Sequence, residues 1–153
     1  MTAPTLVFAW GNPARGDDAL GPLFAAAVEA WQLPGVECLT DFQLQVEHAL
    51  DLQDRQRVLF VDAALHAPAP FVLETLQPAR DDSFSSHAMS PAAILQVYRE
   101  VLKMPPPPAQ LLAIQGQHWE LGTPPSAAAL EHLAAALDWA RQWLADAAAE
   151  TGN

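Results

Sequence analysis

The chain has one cysteine, seven lysines and arginines, and no long apolar run, and each shortage excludes something. Cys38 has no mate, so no internal disulfide forms; in its apolar run it reads as a small buried hydrophobe, and a reduced, cytoplasmic setting is expected. Seven bases against eighteen acids give a net charge of −11, which argues against nucleic acid or an anionic membrane as partner and suits a basic or metal-bearing one. No apolar segment approaches the roughly 20 residues that a membrane-spanning helix needs. The first residues lack a charged region followed by an apolar stretch and a cleavage site, so no signal peptide is expected. The patterns HExxH, paired CxxC, GxxxxGK[ST] and GxSxG are missing, which removes the zinc-protease, zinc-finger, phosphate-loop and serine-hydrolase readings. Gly11, Gly16 and Gly21 lack the GxGxxG spacing of a dinucleotide site.

What is present is apolar: 51% of the 153 residues are hydrophobic and 16% charged, enough for one domain, residues 1–153, with a real core. Leu6 to Trp10 reads as a buried first strand ending at Gly11. Pro22 is tolerated only in a first helical turn, so a helix is expected from about Asp18 to Gln32. Val36 to Thr40 is a second strand, Gln43 to Asp54 a short amphipathic helix, and Arg57 to Asp62 a third strand. Phe71 to Leu76 is a further strand, and Ser90-Pro91 opens a helix with proline at its first position, running to about Lys103. Pro105 to Pro108 form a stiff connector, a partner-recognition motif being the sharper alternative. Leu111 to Ile114 is a last strand. Ser126 caps a long helix to about Ala148, with Leu130, Leu133, Leu137, Ala140 and Leu144 on one face. Strands alternating with helices predict an α/β fold of three layers, a mostly parallel twisted sheet of about five strands with helices on both faces.

Such a sheet aligns the carboxyl ends of its strands along one edge, where ligands bind. Asp17 and Asp18 follow the first strand and Asp62 ends the third, so both strands deliver a carboxylate to that edge. One acid of the Asp17-Asp18 pair suffices to cap the following helix, which leaves the second free. Asp62 ends an apolar strand, where a carboxylate needs water, a metal or hydrogen bonds; capping the next segment is its plainer reading. His87 stands immediately before a helix, a position equally suited to a surface residue. Two carboxylates and an imidazole make a donor set for a borderline divalent ion such as nickel or zinc, with coordination positions left open. His48 and His132 fall in predicted helices as surface residues, His66 in a loop; His118 beside Trp119 is the one rival ligand by location.

Gly11-Asn12 with Asp17-Asp18-Ala19-Leu20-Gly21 resembles the GN…D[DE]xxG signature of the hydrogenase maturation proteases, the endopeptidases that trim the large subunit of nickel–iron hydrogenases. Val58 to Asp62 with Ala63 resembles that family's second block, and Ser85-Ser86-His87 its third. Ile114-Gln115-Gly116, Glu120-Leu121-Gly122 and a long last helix are similar to its closing segment. The resemblance spans nearly the whole chain. It implies that Asp18, Asp62 and His87 are the metal-contacting and catalytic groups, and that nickel is carried by the substrate, with zinc or cadmium able to substitute. The implied partner is the precursor of a nickel–iron hydrogenase large subunit, which loses a short C-terminal extension after nickel insertion. Many relatives carry a glycine-rich DGGTxG stretch where this chain has Asp41 to Glu47; there Gln43 and Glu47 are candidate substrate contacts, helix capping being their other reading.

The implied chemistry is metal-assisted peptide hydrolysis, with a divalent ion polarising the scissile carbonyl or a bound water and a carboxylate available as base. Two other classes remain open: a non-catalytic nickel chaperone or docking module using the same three ligands, and a flavodoxin-like domain using Asn12 to Gly16 as an anion loop, where the two acids would repel phosphate.

Overall fold

The computed structural model describes residues 2–80 and 89–151, with backbone alone for 147–151. Five strands form one sheet: β1 (Thr5–Trp10), β2 (Val36–Asp41), β3 (Arg57–Ala64), β4 (Phe71–Thr75) and β5 (Ala109–Gln115), in the order β2-β1-β3-β5-β4. The first four in that order run parallel, and β4 closes the edge antiparallel to β5. Three helices accompany them: α1 (Leu20–Ala30), α2 (Pro91–Leu102) and α3 (Ala127–Thr151). The expected three-layer α/β architecture is what the chain adopts.

Alternation along the inner strands explains the two faces. Val7 and Ala9 of β1 point one way with Leu59 and Val61 of β3, meeting Phe24 and Val28 of α1 and Ala136, Ala140 and Leu144 of α3. Leu6 and Phe8 point the other way with Val58 and Phe60, against Ile94, Leu95 and Tyr98 of α2 and Leu52. Both faces are covered, so these strands are apolar without a break.

The boundaries depart from the sequence reading in three physical ways. The helix expected from Asp18 begins at Leu20, because Gly16–Ala19 winds as a 3-10 turn whose acids do not cap it. The segment expected as a helix from Gln43 to Asp54 is a 3-10 helix over Val46–Leu52. Strand β3 runs two residues past Asp62, since Ala63 and Ala64 continue its pairing with Ile114 and Gln115. On α3, Leu130 is 45% exposed; the buried stripe passes through Ala129, Leu133, Ala136, Ala140 and Leu144. Cys38 is half-buried, and burial, followed by the charges of Glu29 and Glu37, pushes its thiol up to about 11.

Residue 17 holds two distant loops together. Asp17 is fully buried, and its Oδ2 accepts from the backbone N–H groups of Gln117 (2.7 Å) and His118 (3.0 Å) and from the Ser126 hydroxyl (2.9 Å). Its Oδ1 accepts from the Ser126 N–H at 2.6 Å, and its own N–H donates to the His118 carbonyl at 2.6 Å. Gly116 packs so closely here that a Cβ would lie 2.9 Å from the Asp17 Cβ. Burial alone raises the Asp17 pKa, but the backbone N–H groups of Gln117, Ser126 and His118 and the Ser126 hydroxyl outweigh it and hold the carboxyl below its usual range.

Removing that carboxylate leaves several buried donors unpaired, each worth about 1–3 kcal/mol. Asp17→Ala is therefore expected to lose about 3 kcal/mol or more, a fall in Tm of roughly 10 °C at 2–4 °C per kcal/mol for a chain this size, read by thermal unfolding at pH 7. Because the folded pKa is depressed, this stability is present above the unfolded pKa and fades as pH falls through the folded one. The gap between wild type and Asp17→Asn should narrow in acid; a gap independent of pH would remove the carboxylate's charge from the account.

Candidate active site

The carboxyl ends of β1, β2 and β3 meet side by side: Trp10 pairs with Asp41, and Ala9 with Val61, the residue before Asp62. By strand alternation Trp10, Asp41 and Asp62 lie on the α2 side of the sheet. Beyond Trp10 the chain turns at Gly11, whose φ of +147° suits glycine and whose Cβ position the backbone of Asp18 occupies. That close approach folds the Asn12 to Asp18 loop back on itself. The Asn12 N–H donates to Asp18 Oδ2 at 2.7 Å, the Asp18 N–H to the Arg15 carbonyl at 3.0 Å, and the Ala14 N–H to Asn12 Oδ1 at 2.9 Å. Gly21 has the same logic one turn later: the Trp10 backbone fills the place of a Cβ.

Asp62 is half-buried, and its Oδ1 accepts from the Ala63 N–H at 2.8 Å. Burial pushes its carboxyl up to about 7; the Ala63 N–H opposes this, the negative charge of Asp18 adds to it, and a hydrogen bond from the Trp10 side chain opposes it again. The Trp10 indole is held edge-on against Phe60, ring centres 6.1 Å apart. Asp18 and Asp62 are thus two acids close enough to feel each other, one of them balanced near neutrality. A carboxyl so placed can take or give a proton at physiological pH, and two oxygen-donor groups converging on one edge suit a hard or borderline divalent ion.

His87 lies outside the described residues. Among the described residues no group of three or more histidines, cysteines, aspartates or glutamates is placed to hold a metal ion. Gln43 is half-buried and Glu47 exposed, both in the segment that leaves β2 at this edge. His118 and His66 are exposed, and the backbone of His118 serves Asp17.

Two expectations are corrected. The helix-capping role allowed for the acid pair fails for both: Asp17 reaches across to the β5–α3 loop, and Asp18 bonds backward to Asn12. His48 and His132 are not surface residues. His48 is buried, its Nδ1 accepting from the Gln45 N–H at 2.8 Å, so its Nε2–H donates to Asp41 Oδ2 at 3.1 Å; its ring meets Phe8 edge-on at 4.7 Å. His132 is half-buried and its Nδ1 bonds the Gln115 carbonyl at 2.9 Å. The missed residue is Trp10, read as the end of a strand; its position one residue before Gly11 was the only hint that it borders the site.

The architecture is shared with solved hydrogenase maturation enzymes. The chain superimposes on the hydrogenase maturating endopeptidase HybD from E. coli with a TM-score of 0.72 at 20% identity, covering 94% of this chain and 93% of that one. It is similar to the [NiFe] hydrogenase maturation protease HycI from Thermococcus kodakarensis KOD1 with a TM-score of 0.70 at 19% identity, covering 92% and 91%. A hydrogenase 2 maturation peptidase from Thaumarchaeota archaeon SCGC_AB-539-E09 gives 0.66 at 20% identity, covering 92% and 97%. No family model and no curated relative matches the chain. The fold expected from the sequence is therefore the fold of these enzymes.

The Asp62 carboxyl should titrate near 7 by carbon-13 NMR, and Asp18→Asn should bring the midpoint down by removing the neighbouring charge. A folded pKa raised above the unfolded value costs stability as pH rises between the two, so wild type should lose stability from about pH 4 to 7 relative to Asp62→Asn. An ordinary Asp62 midpoint, unmoved by Asp18→Asn, would contradict the described proximity of the two acids.

Proposed function

We propose that this chain is an endopeptidase that removes a C-terminal extension from the large subunit of a nickel–iron hydrogenase once nickel has been inserted. The observation that carries the reading is the pair Asp18 and Asp62 at the carboxyl edge of a sheet whose fold is that of solved hydrogenase maturation proteases. The nickel is cargo of the substrate, and zinc or cadmium can stand in for it.

Asp18 and Asp62 present two carboxylates to the incoming metal centre, and His87, just ahead of α2, supplies the third group. A metal so held polarises the scissile carbonyl or acidifies a bound water. The Asn12 N–H on Asp18 and the Ala63 N–H and Trp10 side chain on Asp62 fix the two carboxylates, so little reorganisation is needed when substrate arrives. Asp62, the carboxyl balanced near neutrality, is the base, a role worth about 10²–10⁴-fold. Gln43 and Glu47 contact substrate from the segment that follows β2. No helix among the described residues is long and apolar enough to cross a membrane, which agrees with work on a newly made precursor in the cytoplasm.

Purified protein mixed with a nickel-loaded large-subunit precursor should shorten it by a C-terminal peptide, read by intact mass, and should leave the nickel-free precursor whole. Asp62→Asn, Asp18→Asn and His87→Ala should each lower kcat/KM by about 10²-fold or more. Full cleavage by both Asp62→Asn and His87→Ala would refute the site, and binding without any change of mass would make the protein a nickel chaperone or docking module.

A further inference from the structure

The opposite edge of the sheet holds a second concavity, of about 1000 Å³, bounded by the first residues of β3 and β5, the end of α2, Pro105–Pro108 and Trp143 of α3. Its charge is at odds with the rest of the chain. Three of the seven lysines and arginines line it, Arg57, Arg99 and Lys103, and none of the eighteen acids does. Arg57 lies flat over the Trp143 ring, 3.8 Å from its centre. Trp143 is set in turn by its indole N–H, which donates to Gln110 Oε1 at 3.0 Å. Arg99 reaches the neutral Gln96 at 3.0 Å, and Glu100 on the same helix bonds Gln96 at 2.9 Å and lies 3.4 Å from Arg80. Cations at the end of α2 complement its dipole, but that explains neither Arg57, which comes from β3, nor the concave shape.

We propose that this cavity docks an acidic, extended peptide segment of a partner protein. In a chain of net charge −11, a pocket lined by cations alone concentrates the attraction for an anion in one place. The wall decides which anion. Pro105–Pro108 carry no backbone N–H, so they offer nothing to a free phosphate, whereas their carbonyls accept from the backbone of a peptide. The Pro108 carbonyl already receives the Val58 N–H at 3.0 Å, leaving the three before it as the rail. Carboxylates of the peptide then meet Arg99 and Lys103, which are exposed, and the Arg57 guanidinium stacked on Trp143. The proline run is thus a preformed binding wall as well as a connector.

The test is fluorescence anisotropy with the whole chain and an acetylated, fluorescein-labelled hexapeptide of alternating glutamate and alanine. Saturable binding that weakens with added salt is expected. The double charge reversal Arg99→Glu with Lys103→Glu should weaken it at least tenfold and gain binding of the lysine-for-glutamate peptide. Arg99→Gln with Lys103→Gln, a milder change at exposed positions, should fall between, with circular dichroism showing that both variants keep the fold. No binding by wild type, an affinity unchanged by either double variant, or displacement by inorganic phosphate beyond that caused by chloride at equal ionic strength would each overturn the proposal. Binding is read without cleavage, so its failure leaves the endopeptidase reading standing, and the converse also holds.

Discussion

Everything at the working edge of this molecule hangs on one buried carboxylate. Asp17 gathers the N–H groups of Gln117, His118 and Ser126 and the Ser126 hydroxyl, and so sets where the loop after β5 lies and where α3 begins. Around it the same two loops are stitched by Gly16 N–H to the Thr123 carbonyl (3.0 Å), Gly122 N–H to the Ala14 carbonyl (2.7 Å) and Arg15 Nε to the Trp119 carbonyl (2.7 Å). An unpaired ion at this depth would be prohibitive; a carboxylate with four donors is stable and rigid. Asp17 and Asp18 are neighbours with opposite tasks. Asp17 spends all its hydrogen-bonding capacity inside the protein, and this fixes the loop so that Asp18 can face outward at the sheet edge.

That division also explains why the two acids have different environments although they share a turn. Asp17 is ringed by donors and held ionised, while Asp62, on the next strand, sits where burial and the Asp18 charge favour the proton. Two carboxyls pushed to opposite sides of their ordinary value by their surroundings are what acid–base chemistry at neutral pH requires of a site. Trp10 moderates the second one, its indole supported by Phe60.

Much of the fold was readable because it is written locally: apolar runs of strand length, Ser90-Pro91 as a helix start, glycines at turns. Ser90 Oγ does accept from the Ala93 N–H at 3.1 Å, as its place before Pro91 implied. Asp62 was visible as a charge in an apolar strand. What escaped notice was set by partners far along the chain. Asp17 looks like a helix cap until residues 117 and 126 are brought beside it, and no local pattern carries that information. His48 reads as a surface residue because it is followed by a polar stretch; burial comes from Phe8, forty positions earlier, and from Asp41. The last helix misled by one stripe: Leu130 is apolar but faces outward, and the small Ala129 and Ala136 pack instead, letting α3 approach the sheet closely.

The Asp17 clasp has a consequence for how the molecule is made. Its bonds to Ser126 join positions 109 residues apart, among the longest loops the chain closes. A ribosome adding about 5–20 residues per second needs roughly 5–20 s between releasing one partner and the other. During that interval the first carboxylate pair is synthesised but unsupported, with a buried-to-be charge still in water. Closing so wide a loop also costs entropy that only the finished core repays, so the clasp belongs among the late events of folding. The working edge is therefore completed last, and a nascent chain cannot present it until the start of its final helix has appeared.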